Sequence, residues 1–156
     1  MKFSLYLYLL ISLNSCSLLT MFETNNLDFS IELPDNVISK NDILIYVANN
    51  IKWESDSTLH NGKDFWQTPK ETMKSKTGDC TDFSTLEISM LEVIGIDAKI
   101  IFTHFNGENK MTHAIISINS VQIEPQSGKI VNMPIDDSMS WEDFKFTMNN
   151  KNSGHR

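Results

Sequence analysis

The spacing of apolar residues changes once along this chain, from a helical period before Gly95 to a period of two after Asp97. Upstream, apolar side chains recur three and four residues apart, as they do along one face of a helix. Downstream, the runs AKIIFTHF, MTHAIISI and VQIEP follow the alternation that is typical of β-strands. Helices followed by three short strands predict an α+β domain with an antiparallel sheet.

Three helices are predicted upstream of the change. The first covers about 41–52, with Asn41 and Asp42 as capping candidates. The second is short and starts with a cap, a first-turn proline and a capping-box acid, at Thr68, Pro69 and Glu71. The third begins at Cys80 and ends at Gly95, and its apolar stripe predicts burial along one face.

Two hairpin turns are predicted between the strands, at Asn106-Gly107 and at Asn119-Ser120. If the second turn has two residues, Ile115 faces Glu124, and His113 lies diagonally next to Glu124 on the same face of the sheet. A three-residue turn would put His113 and Glu124 on opposite faces.

The length of 156 residues is enough for one domain. We assign this domain to residues 38–148, with a loop over 54–65, a short helix after Ser140 and a loose tail over 149–156. The formal charge is −7 and the sequence has no basic run, so nucleic acid is a poor partner.

Residues 1–15 have the order of a secretory signal, with a lysine before the uncharged run from Phe3 to Leu13. This run is shorter than the roughly 20 residues that a membrane span needs. The sequence LNSCS that follows resembles a bacterial lipoprotein processing box, which predicts a lipid anchor on Cys16, a tether over 16–37 and a location in the bacterial cell envelope. An ordinary signal peptide cut near Ser15 and an uncleaved anchor are the alternatives.

Cys80 lies between two aspartates at the start of the third predicted helix. If Cys16 carries lipid or is removed, Cys80 is the one thiol left in the mature domain and cannot form an internal disulfide. Free N–H groups at a helix start favour a thiolate and could hold an oxyanion. Asp79 and Asp82 oppose ionisation unless Asp79 caps the helix, a cation neutralises the pair, or a cationic histidine lies beside the thiol. A buried structural cysteine is the alternative.

Four histidines are candidates for a catalytic base. His113 is the best placed because Glu124 could orient it, whereas His104 is expected at the surface, His60 in a loop and His155 in the tail. A thiol at a helix start, a strand histidine and an acid on the next strand form the arrangement that thiol catalysis needs.

The motifs WQTPKET, GDCTDFS, THAIIS and EPQSG resemble the transglutaminase-like superfamily, in particular its bacterial transglutaminase-like cysteine proteinases, over residues 46–128. The resemblance implies a papain-like core in which N-terminal helices pack on a small antiparallel sheet. It also implies that Cys80 is the nucleophile, His113 the base and Glu124 the orienting acid. The family has an aspartate before the proline where this chain has Glu124 before Pro125.

The same resemblance has implications for ligands and for the oxyanion. Some family members bind calcium beside the nucleophile through acidic residues that match Asp79 and Asp82, and the acid often found between them is Thr81 here. No other cofactor is implied. Similarity to papain-like enzymes implies that Trp66 and Gln67 shape the oxyanion region.

These patterns favour an exported thiol hydrolase that cleaves peptide or amide bonds in a peptide or protein substrate of the envelope. Two other functions are consistent with the same residues. A catalytically inactive binding module of the envelope would explain the replacement of aspartate by Glu124. A protein-crosslinking acyltransferase would use the same acyl-enzyme with an amine in place of water.

Overall fold

The structure is a computed structural model that describes residues 27–59, 65–104 and 112–152. Its elements, in chain order, are α1 (Lys40–Asn50), β1 (Lys52–Trp53), α2 (Asp56–Leu59), α3 (Pro69–Ser75), β2 (Thr77–Gly78), α4 (Cys80–Val93), β3 (Lys99–Thr103), β4 (His113–Ile118), β5 (Val121–Glu124), β6 (Lys129–Val131), β7 (Asp137–Ser140) and α5 (Trp141–Asn152). Helices dominate the first half and strands the second half, which confirms the α+β class.

The main sheet has five antiparallel strands in the order β6-β5-β4-β3-β7. The register of β4 and β5 pairs Ile116 with Ile123 and Ile118 with Val121, so the turn between them has two residues, as predicted. These turn residues, Asn119 and Ser120, have φ angles of 50° and 67°, which a primed hairpin turn requires. The other predicted turn, Asn106-Gly107, lies outside the described residues.

Strands β6 and β7 extend the sheet beyond the three strands predicted. β6 pairs with β5 and β7 pairs with β3, so each of them forms an edge. β7 has the sequence DSMS, and its burial pattern is exposed or intermediate throughout. An edge strand of this kind has no buried face, and its sequence therefore lacks the alternation that marks β3 and β4.

Helix α4 lies at the centre of the fold. Every residue from Thr81 to Leu91 is buried, because α1 and α3 pack on one side of this helix and β4 on another. This corrects the prediction of burial along one face. The covering elements also enclose polar side chains of α4, among them Glu87.

Local capping starts the first long helix and α3. Ser39 caps α1, with Asp42 completing the capping box, so the predicted cap at Asn41 or Asp42 is wrong by two or three residues. Thr68 and Glu71 form the capping box of α3, as predicted. The cap is the residue whose oxygen can reach the free N–H groups, and Ser39 reaches the N–H of Asp42 at 3.3 Å.

The segment predicted as a loop over 54–65 contains the one-turn helix α2. Just before it, β1 pairs with β2 in parallel, with Lys52 opposite Thr77 and Trp53 opposite Gly78. Neither element was predicted. Two-residue strands are too short to show a period, and their pairing joins positions that are 25 residues apart in sequence.

Residues 27–33 form an extended strap over the helices. Alternate apolar side chains of the strap pack against the core, at Leu27, Phe29, Ile31 and Leu33. The hydroxyl of Ser89 on α4 donates to the carbonyl of Phe29 at 2.9 Å. Lys70 of α3 pairs with Asp28 of the strap. This packing corrects the prediction of a tether over 16–37 for the strap, since the strap has partners along its length.

Helix α5 continues to Asn152, so the predicted tail over 149–156 is helical through 152. Asn149 accepts a hydrogen bond from the backbone N–H of Leu27 at 2.6 Å, which ties this part of α5 to the strap. Among the described residues, no helix is long and apolar enough to cross a membrane. The predicted signal over 1–15 and the lipidation of Cys16 lie outside the described residues and stay predictions.

Candidate active site

Cys80 is the first residue of α4 and is half-buried. Asp79 is the N-cap of this helix, and its Oδ1 accepts hydrogen bonds from the backbone N–H groups of Thr81 at 2.9 Å and Asp82 at 3.2 Å. The capping role considered for Asp79 is therefore realised. The carboxylate faces backbone donors of the first turn, which places the thiol where the helix dipole favours negative charge.

The turn before Cys80 is held by Asp82, whose side chain is completely buried. Its Oδ1 accepts from the backbone N–H of Gln67 at 2.8 Å. Its Oδ2 accepts from Nε2 of Gln67 at 2.8 Å and from the backbone N–H of Asp79 at 3.1 Å. A Cβ atom at Gly78 would lie 2.6 Å from Cβ of Asp82. Glycine at position 78 is thus required by the close approach of this carboxylate.

His113 is the first residue of β4 and Glu124 is the last residue of β5. Nε2 of His113 lies 2.6 Å from Oε2 of Glu124. The two-residue turn at 119–120 sets the register that brings them together, as the sequence predicted. The longer glutamate side chain reaches the ring in the geometry that the resemblance assigns to an aspartate.

Cys80 acts on the same ring, because hydrogen bonding to the thiol and the charge of the thiolate both raise the pKa of His113. Because Nε2 is taken by Glu124, Nδ1 is the ring nitrogen left for the thiol. Burial lowers the pKa of His113, but the hydrogen bonds with Cys80 and Glu124 outweigh burial and raise this pKa to about 9. The environment therefore favours an imidazolium between two groups that can carry negative charge, which is the electrostatic form of an activated thiol pair.

Gln67 and Trp66 make structural contacts beside the oxyanion role implied by resemblance, which stays a prediction. The amide Nε2 of Gln67 donates to Oδ2 of Asp82 at 2.8 Å and to the carbonyl of Thr77 at 3.0 Å. Both amide hydrogens then have acceptors in the protein, so this side chain organises the turn before Cys80. The Trp66 ring stacks on Phe144 with a centroid distance of 5.1 Å and belongs to the aromatic core.

Three carboxylates lie next to the nucleophile. Ligand atoms of Asp56, Asp79 and Asp82 are all within 4.8 Å of one another. Burial and the charge of Asp79 raise the pKa of Asp82 to about 7. Carboxylate oxygens are hard ligands that suit calcium, and a cation here would relieve the repulsion between the acids. The donor set therefore fits calcium, and it adds Asp56 to the two predicted ligands.

Asp56 was missed because it lies in a stretch with no apolar period. It is 23 residues before Asp79 in sequence, and the parallel pairing of β1 with β2 brings α2 beside the start of α4. A run of polar residues such as ESDST gave no signal beyond a loop.

His104 forms a separate pair. Its Nδ1 lies 2.6 Å from Oδ2 of Asp136, and its side chain is 28% exposed. The surface position predicted for His104 is only partly correct, since the strand end and Asp136 cover most of the ring. His60 and His155 lie outside the described residues.

Known proteins resemble this chain in sequence and in fold. The family described as the Transglutaminase-like superfamily matches residues 34–150. UPF0252 protein MJ1282 of Methanocaldococcus jannaschii is 34% identical over 74 residues, which are 44% of this chain and 21% of that protein. The calcium-bound structure of Legionella pneumophila LapG has a TM-score of 0.53 at 18% identity and covers 65% of this chain and 63% of its own.

A second structure of Legionella pneumophila LapG has a TM-score of 0.52 at 18% identity, with coverage of 70% of this chain and 79% of its own. The LapG comparisons establish likeness of fold. The chain spans about a fifth of the length of its relative from Methanocaldococcus jannaschii.

Proposed function

Because the chain belongs to the Transglutaminase-like superfamily, we propose that it is a thiol-dependent hydrolase that cleaves peptide or amide bonds through an acyl-enzyme on Cys80. The observation that carries this proposal is the contact series from Cys80 to His113 to Glu124, with the last pair at 2.6 Å. A nucleophile, a base and an orienting acid in this series are the parts that acyl transfer by a thiol requires.

In the proposed reaction, His113 takes the proton of Cys80 and the sulfur attacks the carbonyl carbon of the substrate. The C–N bond then breaks as the imidazolium gives its proton to the leaving amine. Water, deprotonated by the neutral imidazole, attacks the thioester, and the released thiolate recovers the resting state. Glu124 holds the ring so that Nδ1 faces the thiol throughout.

The contact between Glu124 and His113 favours an active site over an inactive binding module. The departure from the aspartate of the family was the main support for inactivity, and a distance of 2.6 Å removes that objection. Hydrolysis and crosslinking share the acyl-enzyme and differ only in the acceptor, so the products of the reaction separate them.

Calcium would be held by Asp56, Asp79 and Asp82 in this proposal. When bound, it would offset the negative charge beside the nucleophile. The calcium-bound LapG structure supports the choice of this cation. Export, a lipid anchor on Cys16 and a peptide or protein substrate in the bacterial cell envelope complete the proposal, and these rest on the sequence of residues 1–17.

Alkylation of Cys80 by iodoacetamide at mildly acidic pH tests the proposed nucleophile, with intact mass as the measurement. We expect rapid labelling of the folded wild type and none of Cys80→Ala. The rate should fall by about 100-fold or more in His113→Ala, since the base is removed. His104→Ala is the matched control and should label like wild type. Slow labelling of the folded wild type, at the rate of unfolding, would exclude an activated thiol.

Products distinguish the two acyl-transfer reactions. Incubation with a peptide mixture and a primary amine, followed by mass spectrometry, should give new amino termini and free carboxylates rather than amine adducts. Adducts without cleavage would assign a crosslinking acyltransferase. If Cys80 labels rapidly but neither product forms, the site binds its ligand without turnover.

A further inference from the structure

Glu87 is an ionisable residue in the interior that the proposed reaction does not use. It lies on α4 seven residues after Cys80, and its relative exposure is 0%. Both of its carboxyl oxygens are buried, and neither has a hydrogen-bond partner among the described residues. A buried carboxylate without partners is costly, so the neutral acid is the form that this position favours.

Glu124 is the charged group that acts on Glu87. Burial raises the pKa of Glu87, and the charge of Glu124 raises it further, to about 8. Elements α1, α3, β3 and β4 also pack on α4. Their lysines are exposed and two of their acids serve as capping-box acids: Lys40, Lys70, Lys74, Lys99, Asp42 and Glu71. The remaining ionisable ring among them is His113 of β4, which is bound to Glu124.

Two carboxyl groups in one region of low dielectric do not both ionise readily, and the proton stays on the one with fewer compensating partners. Glu124 has His113 at 2.6 Å and accepts from the backbone N–H of Gln126 at 3.3 Å. Glu87 has no comparable partner among the described residues. The proton of the pair therefore belongs on Glu87.

We propose that Glu87 is a positioning residue of the site: as a neutral carboxylic acid in the interior, it leaves Glu124 ionised to hold His113. It does not touch the reacting atoms. Loss of its proton would add a second negative charge near Glu124 and would hold His113 in the imidazolium form. The neutral imidazole that deprotonates water would then be scarcer. This consequence for turnover rests on the proposed function, whereas the placement of the proton does not.

Carboxyl ¹³C and imidazole ¹⁵N titration by NMR tests the inference on the full chain. We expect the Glu87 carboxyl signal of the wild type to be that of the acid at pH 7. In Glu124→Gln, the midpoint of Glu87 should fall, because the neighbouring charge is gone. His113, with a pKa of about 9, titrates where the wild-type Glu87, with a pKa of about 8, has already lost its proton. In Glu87→Gln that charge is absent, so the midpoint of His113 should fall by about one pH unit.

Glu92→Gln is the matched control, since it removes a negative charge from the same helix at a side chain that is 49% exposed. Its partners are Lys145 and the indole N–H of Trp141, and a glutamine oxygen can still accept from both. It should leave both midpoints unchanged. An ionised Glu87 at pH 7 in the wild type overturns the inference without any variant. An unchanged His113 midpoint in folded Glu87→Gln also overturns it, since a buried acid with a packing role alone would give that result.

These titrations separate the inference from the proposed function. If Cys80 neither labels nor turns over while the midpoints shift as expected, the proposed function fails and the placement of the proton stands. If Cys80 labels and the protein hydrolyses peptides while Glu87 is ionised at pH 7, the proposed function stands and the placement of the proton fails.

Discussion

Replacement of Glu87 by glutamine should become more favourable to the stability of the protein as pH rises. The pKa of Glu87 is raised by burial and by Glu124 from 4.5 to about 8. Below pH 4.5 the carboxyl is protonated in both the folded and the unfolded state and contributes no pH dependence. Between pH 4.5 and 8 the unfolded chain loses the proton and the folded protein keeps it, so the free energy of unfolding falls as pH rises.

The magnitude follows from the size of this window. Each pH unit inside it lowers the stability by about 1.4 kcal/mol. From pH 5 to pH 7.5 the wild type should therefore lose about 3 kcal/mol through Glu87 alone. Glutamine has the same shape and cannot ionise. The difference in unfolding free energy between Glu87→Gln and wild type should thus rise by about 3 kcal/mol over that range. Any effect of the substitution on packing is the same at both pH values and therefore drops out of this rise.

Urea unfolding at pH 5 and pH 7.5, followed by tryptophan fluorescence, measures this difference for both proteins. Glu92→Gln is again the control. Its unfolding free energy relative to wild type should change by less than about 0.5 kcal/mol between the two pH values, as expected for a surface substitution. Equal differences between Glu87→Gln and wild type at the two pH values would refute the reasoning, because they would mean that Glu87 ionises alike in the folded and unfolded states.

Three further outcomes are expected. Gly78→Ala should lower the unfolding free energy by about 1–3 kcal/mol in urea unfolding, because its Cβ would lie 2.6 Å from Cβ of Asp82; an unchanged midpoint would show that the turn moves freely. Phe29→Ala should lower it by about 2 kcal/mol, since the ring packs edge-on against Trp141 at 5.5 Å; no loss would mean that the strap adds nothing to stability. Millimolar calcium should raise the melting temperature of wild type but not of Asp56→Asn, and EGTA should reverse the rise; equal rises in both proteins would exclude Asp56 as a ligand.

Local signals predicted the parts of this fold that depend on neighbours in sequence. The capping box from Thr68 to Glu71 needs contact only across one turn, and the structure has it. The register of β4 and β5 follows from the turn length at 119–120, and this register places His113 beside Glu124. The central part of the site was therefore predictable, because a tight turn transmits its geometry directly to the strands beside it.

Contacts between distant segments were not predictable in this way. The pairing of β1 with β2 has two residues a side, and this pairing brings Asp56 to the nucleophile. Burial of Glu87 was likewise not predicted, because the sequence assigned burial on α4 to its apolar stripe alone. Its burial depends on what packs over α4, and a single helical period carries no information about that.

The strap also determines how tension on the N-terminal end of the domain would spread. A pull there meets the bond from Leu27 to Asn149 first and then the pair of Asp28 with Lys70. It next meets the bond that joins Phe29 to Ser89 on the helix that bears Cys80. These links lie in series and would open one at a time, whereas the sheet strands bear load side by side. Tension on the strap would thus reach the nucleophile helix before the strand that carries His113.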